Sequence, residues 1–106
     1  MPSPEEKYES EMRDARDTVF LVAVRRAIDT RLIDVEFDAG RGPGPHKTHD
    51  LLVSVRGSAI TASSHNIPHE WLATGTGFID TRLSKLTASL ISELTAKAHQ
   101  AGLSLE

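Results

Sequence analysis

Apolar positions in the first third of the chain recur at helical spacing. Tyr8, Met12, Ala15, Val19, Val22 and Ala23 fall on one stripe, and Glu9, Arg13 and Asp17 stand four apart on the outside. Ser3, Pro4 and Glu6 supply a cap, a first-turn proline and the acid of a capping box. This predicts a helix over about 4–29. The run Val19 to Val24 is apolar on all sides and rich in β-branching, so its pattern alone also fits a buried strand. The continuous stripe and the lack of Gly or Pro between Pro4 and Gly40 favour the helix.

The period then changes from 3.6 to 2. Ile33, Val35 and Phe37 alternate with Asp34, Glu36 and Asp38, which predicts a half-buried strand over about 32–38. A segment holding three Gly and two Pro follows, Ala39 to His46, and predicts a mobile loop over about 39–48. Leu51, Val53 and Val55 alternate with Leu52, Ser54 and Arg56 in a second strand, about 50–56. Arg56-Gly57-Ser58 turns the chain into a weaker third strand, about 58–64. After an irregular piece around Trp71, the spacing Ile79, Leu83, Leu86, Leu90, Leu94, Ala98 predicts an amphipathic helix over about 79–101, stopped by Gly102. The predicted fold is a two-layer α+β domain of order αβββα, a three-stranded antiparallel meander with both helices on one face.

Composition excludes several chemistries. The chain of 106 residues has no cysteine, so disulfides, cysteine-ligated zinc, iron–sulfur clusters and thiol nucleophiles are out. Its longest apolar run has six residues, far below the ~20 of a membrane span. The start is acidic and lacks a basic stretch leading into an apolar one, which predicts no secretory signal and a cytoplasmic location. The Cys-free, Arg/Ala-rich composition reads as bacterial. Six acids against three bases between Glu5 and Asp17 account for the whole net charge of −3. A neutral body with an acidic arm is poorly suited to gripping phosphates, which argues against a nucleic-acid partner.

Four of the five histidines form two close pairs, His46 with His49 and His65 with His69. Neutral imidazoles with Asp50 or Glu70 nearby have the donor chemistry for zinc if the two loops meet. Solvated loop histidines are the plainer reading. Gly40 to Thr48 superficially matches a phosphate loop, but His46 stands where glycine is required and two prolines remove amide donors. Ser63, Ser64 and His65 are sequence neighbours that a strand points to opposite faces, without a glycine elbow. Glu70 beside His69 needs a pocket to act as an acid–base pair. No constellation supports an enzyme, and no cofactor is implied. Asp34, Glu36 and Asp38 read as a solvated strand face with Arg56 as a cross-strand neighbour. Trp71 reads as a plug at the edge of the core, or as an anchor for a partner.

The order of elements, with Pro45-His46 ahead of a strand, resembles double-stranded-RNA-binding domains over Gly42 to Val55. The resemblance implies a loop touching the RNA minor groove. The basic start of that family's second helix is replaced here by Ile79-Asp80-Thr81-Arg82, and Asp50 stands where an aromatic is expected. The expectation is therefore a non-enzymatic binding or protein-interaction module, its partner another protein or a second copy in a homodimer. The binding surface is expected on His46, Lys47, His49, His65, His69 and Trp71. A divalent-metal site on His46, His49, His65 and His69, or a degenerate RNA binder, are the alternatives.

Overall fold

The structure, a computed structural model, describes residues 4–42, 46–72 and 81–106. Helix α1 spans Pro4–Arg25, strands β1, β2 and β3 span Ile33–Phe37, Thr48–Val55 and Thr61–Pro68, and helix α2 spans Thr81–Gln100. Single 3-10 turns lie at Thr30–Leu32 and His69–Trp71. The strands form one antiparallel sheet in the order β1-β2-β3, giving the expected α+β architecture. One sheet face is apolar: Ile33, Val35, Leu51, Val53, Val55, Ala62 and Ile67 are buried there against Ala15, Val19 and Ala23 of α1 and Leu83, Leu90, Ile91, Leu94 and Ala98 of α2. Each fully buried Leu, Ile or Val contributes about 1.5–3 kcal/mol. An exposed ion pair contributes about 0–1 kcal/mol, so burial holds the layers together. No helix among the described residues is long and apolar enough to cross a membrane.

The segment 19–24 is helical throughout. Val19, Val22 and Ala23 enter the core while Leu21 and Val24 stay exposed, which is a helical and not a strand division of the run. The helix ends at Arg25, four residues before the expected Asp29. Its stop carries no glycine. Ala27 adopts φ 62°, its N–H donates to the Val24 carbonyl at 3.0 Å, and the Ile28 N–H donates to the Ala23 carbonyl at 3.0 Å. This is a Schellman-type ending in which the buried Ile28 makes the apolar contact. At the far end α2 stops as expected at Gly102 (φ 79°), where the Leu103 N–H donates to the Ala98 carbonyl at 2.9 Å. Leu105 is buried, and its carbonyl accepts from the Asp29 N–H at 2.7 Å, which ties the two helix ends together. Glu9, Arg13 and Asp17 keep their helical spacing, but no ion pair links them.

Strand β1 falls within its expected range. Strand β2 starts at Thr48, two residues earlier than expected and inside the segment read as a mobile loop. Arg41 and Thr48 exchange both backbone hydrogen bonds at 2.8 Å, which closes that loop. Strand β3 lies later than expected, at 61–68 instead of 58–64, and reaches Pro68 because an edge strand tolerates a missing N–H. The register shifts within it. Leu51 pairs with Ser64 and His49 with Ile67, so His65 and Asn66 together oppose Asp50. Asn66 takes the left-handed conformation of this bulge, at φ 58°. The extra residue reverses the alternation, and Ile67 faces the core five positions after Ala62. The expected helix start at 79 lies outside the described residues.

A left-handed alanine costs about 1–2 kcal/mol relative to glycine, offset in part by glycine's larger unfolded-state entropy. Ala27→Gly is therefore expected to stabilise the protein by about 0.5–1 kcal/mol in urea denaturation. A loss of stability would show that the helix does not end on a left-handed residue at 27.

Candidate functional site

The core-facing alternation of β2, which buries Leu51, Val53 and Val55, also carries His49 into the interior at 0 % exposure. A wholly buried imidazole needs partners for both nitrogens. Nε2 of His49 lies 2.8 Å from Nδ1 of His69, and its Nδ1 lies 3.1 Å from the Asp38 carbonyl oxygen. Nε2 of His69 lies 3.0 Å from Oε2 of Glu11 on α1. The result is a continuous chain, Asp38–His49–His69–Glu11, that joins the end of β1, β2, the turn after β3 and α1. The bulge at Asn66 makes it possible, because the reversed alternation carries the chain after Ile67 toward the core side. The His69 N–H then donates to the Lys47 carbonyl at 2.9 Å and fixes the turn.

The other end of the chain is held by the Asp38 carboxylate, which accepts from the Gly40 N–H at 3.1 Å and the Asp50 N–H at 3.0 Å. Gly40, at φ 92°, lies flat on the buried ring: a Cβ there would stand 2.7 Å from Cε1 of His49 and 2.6 Å from the Lys47 side chain. Only glycine fits this approach.

The donors and acceptors constrain the protons. A carbonyl only accepts, so His49 Nδ1 must carry hydrogen to bond Asp38. An ionised Glu11 only accepts, so His69 Nε2 must carry one too, and the nitrogen–nitrogen contact needs a third. With all three bonds made, two imidazoles share one positive charge facing the Glu11 carboxylate. Moving hydrogen along the chain to Glu11 gives a neutral arrangement with the same proton count. Because the chain ends on a carbonyl, it can hold a proton but not pass one onward through Asp38. A buried charge persists only when paired in this way.

The remaining predicted residues are dispersed. His65 stands on the opposite, uncovered sheet face, with Nδ1 3.2 Å from Oδ2 of Asp50. Asp50 also accepts from Arg41 at 2.8 Å and from the Asn66 N–H at 3.2 Å. The hydrogen bond from His65, aided by the Asn66 amide and Arg41, holds the Asp50 carboxyl below the usual carboxylate range. His46 is exposed and Lys47 half-buried. Trp71 is half-buried against the core with the Arg82 guanidinium 5.2 Å from its ring centre. The two histidine loops thus meet through one member of each pair, His49 and His69. No three His, Asp or Glu side chains among the described residues converge as a metal set. Glu70 lies toward Arg82 at 3.5 Å, whereas the acid bonded to His69 is Glu11. On the uncovered face Asp34 pairs with Arg56 at 2.8 Å, as expected. Sequence reasoning missed Glu11 and Asp38. Glu11 sits four and eleven residues from the core positions Ala15 and Val22, so its place beside the apolar stripe carried a signal.

A second feature lies on the other flank of α1. Backbone bonds join Asp38 to Asp50 and Arg56 to Leu32, and bonded pairs alternate along an antiparallel ladder. Asp34 and Glu36 therefore bond inward to β2, while the main-chain groups of Val35 and Phe37 point out from the sheet edge. Beside them opens a groove of about 680 Å³, lined by Glu9, Met12, Arg13 and Arg16 of α1 and by Val35, Glu36, Phe37, Asp38 and Ala39.

Two outcomes test the polar geometry. Truncating one end of a buried hydrogen-bonded pair costs about 1–3 kcal/mol, so Glu11→Ala and His69→Ala should each destabilise by that order. The double variant should lose clearly less than the sum in urea denaturation, and additivity would mean the two side chains do not bond. In an NMR titration the Asp50 carboxyl should have its midpoint below that of an ordinary aspartate, and His65→Ala should raise it. The sign follows from linkage: a depressed carboxyl stabilises the fold above its unfolded midpoint, and that contribution disappears as pH falls through the folded one. An unshifted midpoint in both proteins would remove the His65 bond.

Comparison with known proteins matches the chain to no family model, to no curated protein and to no solved structure.

Proposed function

We propose that this protein is a non-enzymatic interaction module that takes an extended segment of a partner protein as a fourth strand on β1. The observation that carries this reading is the pair of outward main-chain positions, Val35 and Phe37, which are unbonded among the described residues and lie beside the groove under α1. Strand addition supplies affinity through such backbone groups, and an adjoining pocket supplies specificity through alternate side chains.

The two edges of the sheet differ in fitness for this role. Strand β3 is blunted by its bulge, by Pro68 and by Lys97, whose ammonium donates to the Thr61 carbonyl at 2.8 Å. Strand β1 has neither bulge nor proline. A second copy is a poor occupant. Two-fold pairing of β1 about Val35 would set Asp34 of one copy against Glu36 of the other, and like charges directly opposite destabilise a ladder. A partner of different sequence avoids this.

The test uses a neutral probe, the blocked peptide Ac-Thr-Val-Thr-Val-Thr-Val-Thr-NH2, titrated into ¹⁵N-labelled protein. Saturable amide shifts are expected at Val35, Phe37 and Met12. N-methylation of the three central peptide residues should abolish them, because alternate amides among them bond the edge and the methyl groups block that approach. Shifts that survive methylation, or none at all, would overturn strand addition.

A further inference from the structure

We infer that the open edge of β1 selects strands in which basic and apolar residues alternate, the basic ones facing away from α1. This deepens the strand-addition reading and rests on it. A strand added to β1 puts successive side chains on opposite sheet faces, and each shares its face with its cross-strand neighbour. Side chains level with Val35 and Phe37 enter the groove beneath α1, where Met12, Val35 and Phe37 offer an apolar lining. Side chains between them lie on the uncovered face, beside Glu36.

The charges on the two sides are opposite. On the helix side, Arg13 and Arg16 are exposed and neither has an ion-pair partner among the described residues, so even with Glu9 the α1 rim of the groove carries a net positive charge, while Asp38 on the strand rim is engaged with the Gly40 and Asp50 amides. On the uncovered side, where alternation with the buried Val35 places the Glu36 side chain at the groove's outer margin, Glu36 is exposed and has no ion-pair partner among the described residues, while the neighbouring Asp34 already holds Arg56. A lysine or arginine next to Glu36 gains an opposite charge across the new ladder. The same residue turned toward the helix would meet Arg13 and Arg16. Because a slip of one residue exchanges the two faces, the charge difference also fixes the register of the added strand.

The experiment compares three blocked peptides by the same amide-shift titration: Ac-Thr-Val-Lys-Val-Lys-Val-Thr-NH2, its counterpart with Glu for Lys, and the neutral Thr/Val probe. The lysine peptide should bind about five- to tenfold tighter than the glutamate peptide, the size that one or two cross-strand charge pairs give. The difference should shrink at high salt. Glu36→Lys, an exposed change that leaves the core intact, should reverse the order. Equal affinity of all three peptides would overturn the charge selection and leave strand addition standing. Binding by none would overturn both. Preference for lysine that survives Glu36→Lys would place the selecting charge elsewhere and overturn the assignment to Glu36.

Discussion

Burying His49 sets the terms for much of the fold around it. An imidazole inside a sheet-and-helix core has two polar nitrogens to satisfy, and leaving either unpaired costs about as much as a buried aliphatic side chain contributes. The solution draws on four separate elements: the Asp38 carbonyl at the end of β1, His69 in the turn after β3, Glu11 on α1, and Gly40, whose bare backbone lets the loop close over the ring. Each is placed by a local feature that has little purpose without the histidine. The bulge at Asn66 reverses the alternation of β3 so that the chain arrives on the core side. The Arg41–Thr48 bridge brings the Gly-rich loop back onto β2.

The sequence's periodicities disclose the layers and miss this joint, for identifiable reasons. Amphipathic spacing is a property of one element at a time, and the stripes of α1, β1, β2 and α2 are each long enough to read. It fails where tertiary contacts override it. The run 58–64 was expected to be a strand from its sequence, yet Ser58 serves the turn, its hydroxyl bonding the Val55 carbonyl, and β3 begins at Thr61. Thr87 is wholly buried on α2 at a position the Leu spacing passes over. The end of α1 carries no glycine to announce it, because the Schellman bonds and the burial of Ile28 hold Ala27 in a left-handed conformation. Among the candidate residues, the pairing of His49 with His69 was legible only as two loops with matching chemistry. Glu11 lies 58 residues from His69, and nothing local in either segment points to the other.

The same physics separates residues that sequence proximity had grouped. His65 and His69 are four apart, the spacing that would align them on a helix. They stand on opposite faces of the sheet, because the bulge lies between them. His65 joins Asp50, Arg41 and the Asn66 amide in an exposed cluster that holds the bulge from outside. His69 holds it from inside. Both histidines therefore act on the geometry of one irregular turn.

The buried chain and the open edge meet through α1. Glu11 and Met12 are consecutive, and one residue of helix turns the side-chain direction by about 100°. Glu11 is drawn beneath the helix to His69, and this leaves Met12 on the flank toward β1, with Arg16 a turn further on. The buried stripe Ala15, Val19 and Ala23 sets the rotation of α1 about its own axis, the Glu11–His69 hydrogen bond agrees with it, and that rotation decides which side chains line the groove. Were α1 turned by one residue, a carboxylate would replace the methionine floor and the groove would lose its apolar side. The interior polar chain and the proposed recognition edge are thus one construction. The side chain that completes the bonding of His49 and His69 sits on the same helix that shapes the surface beside β1.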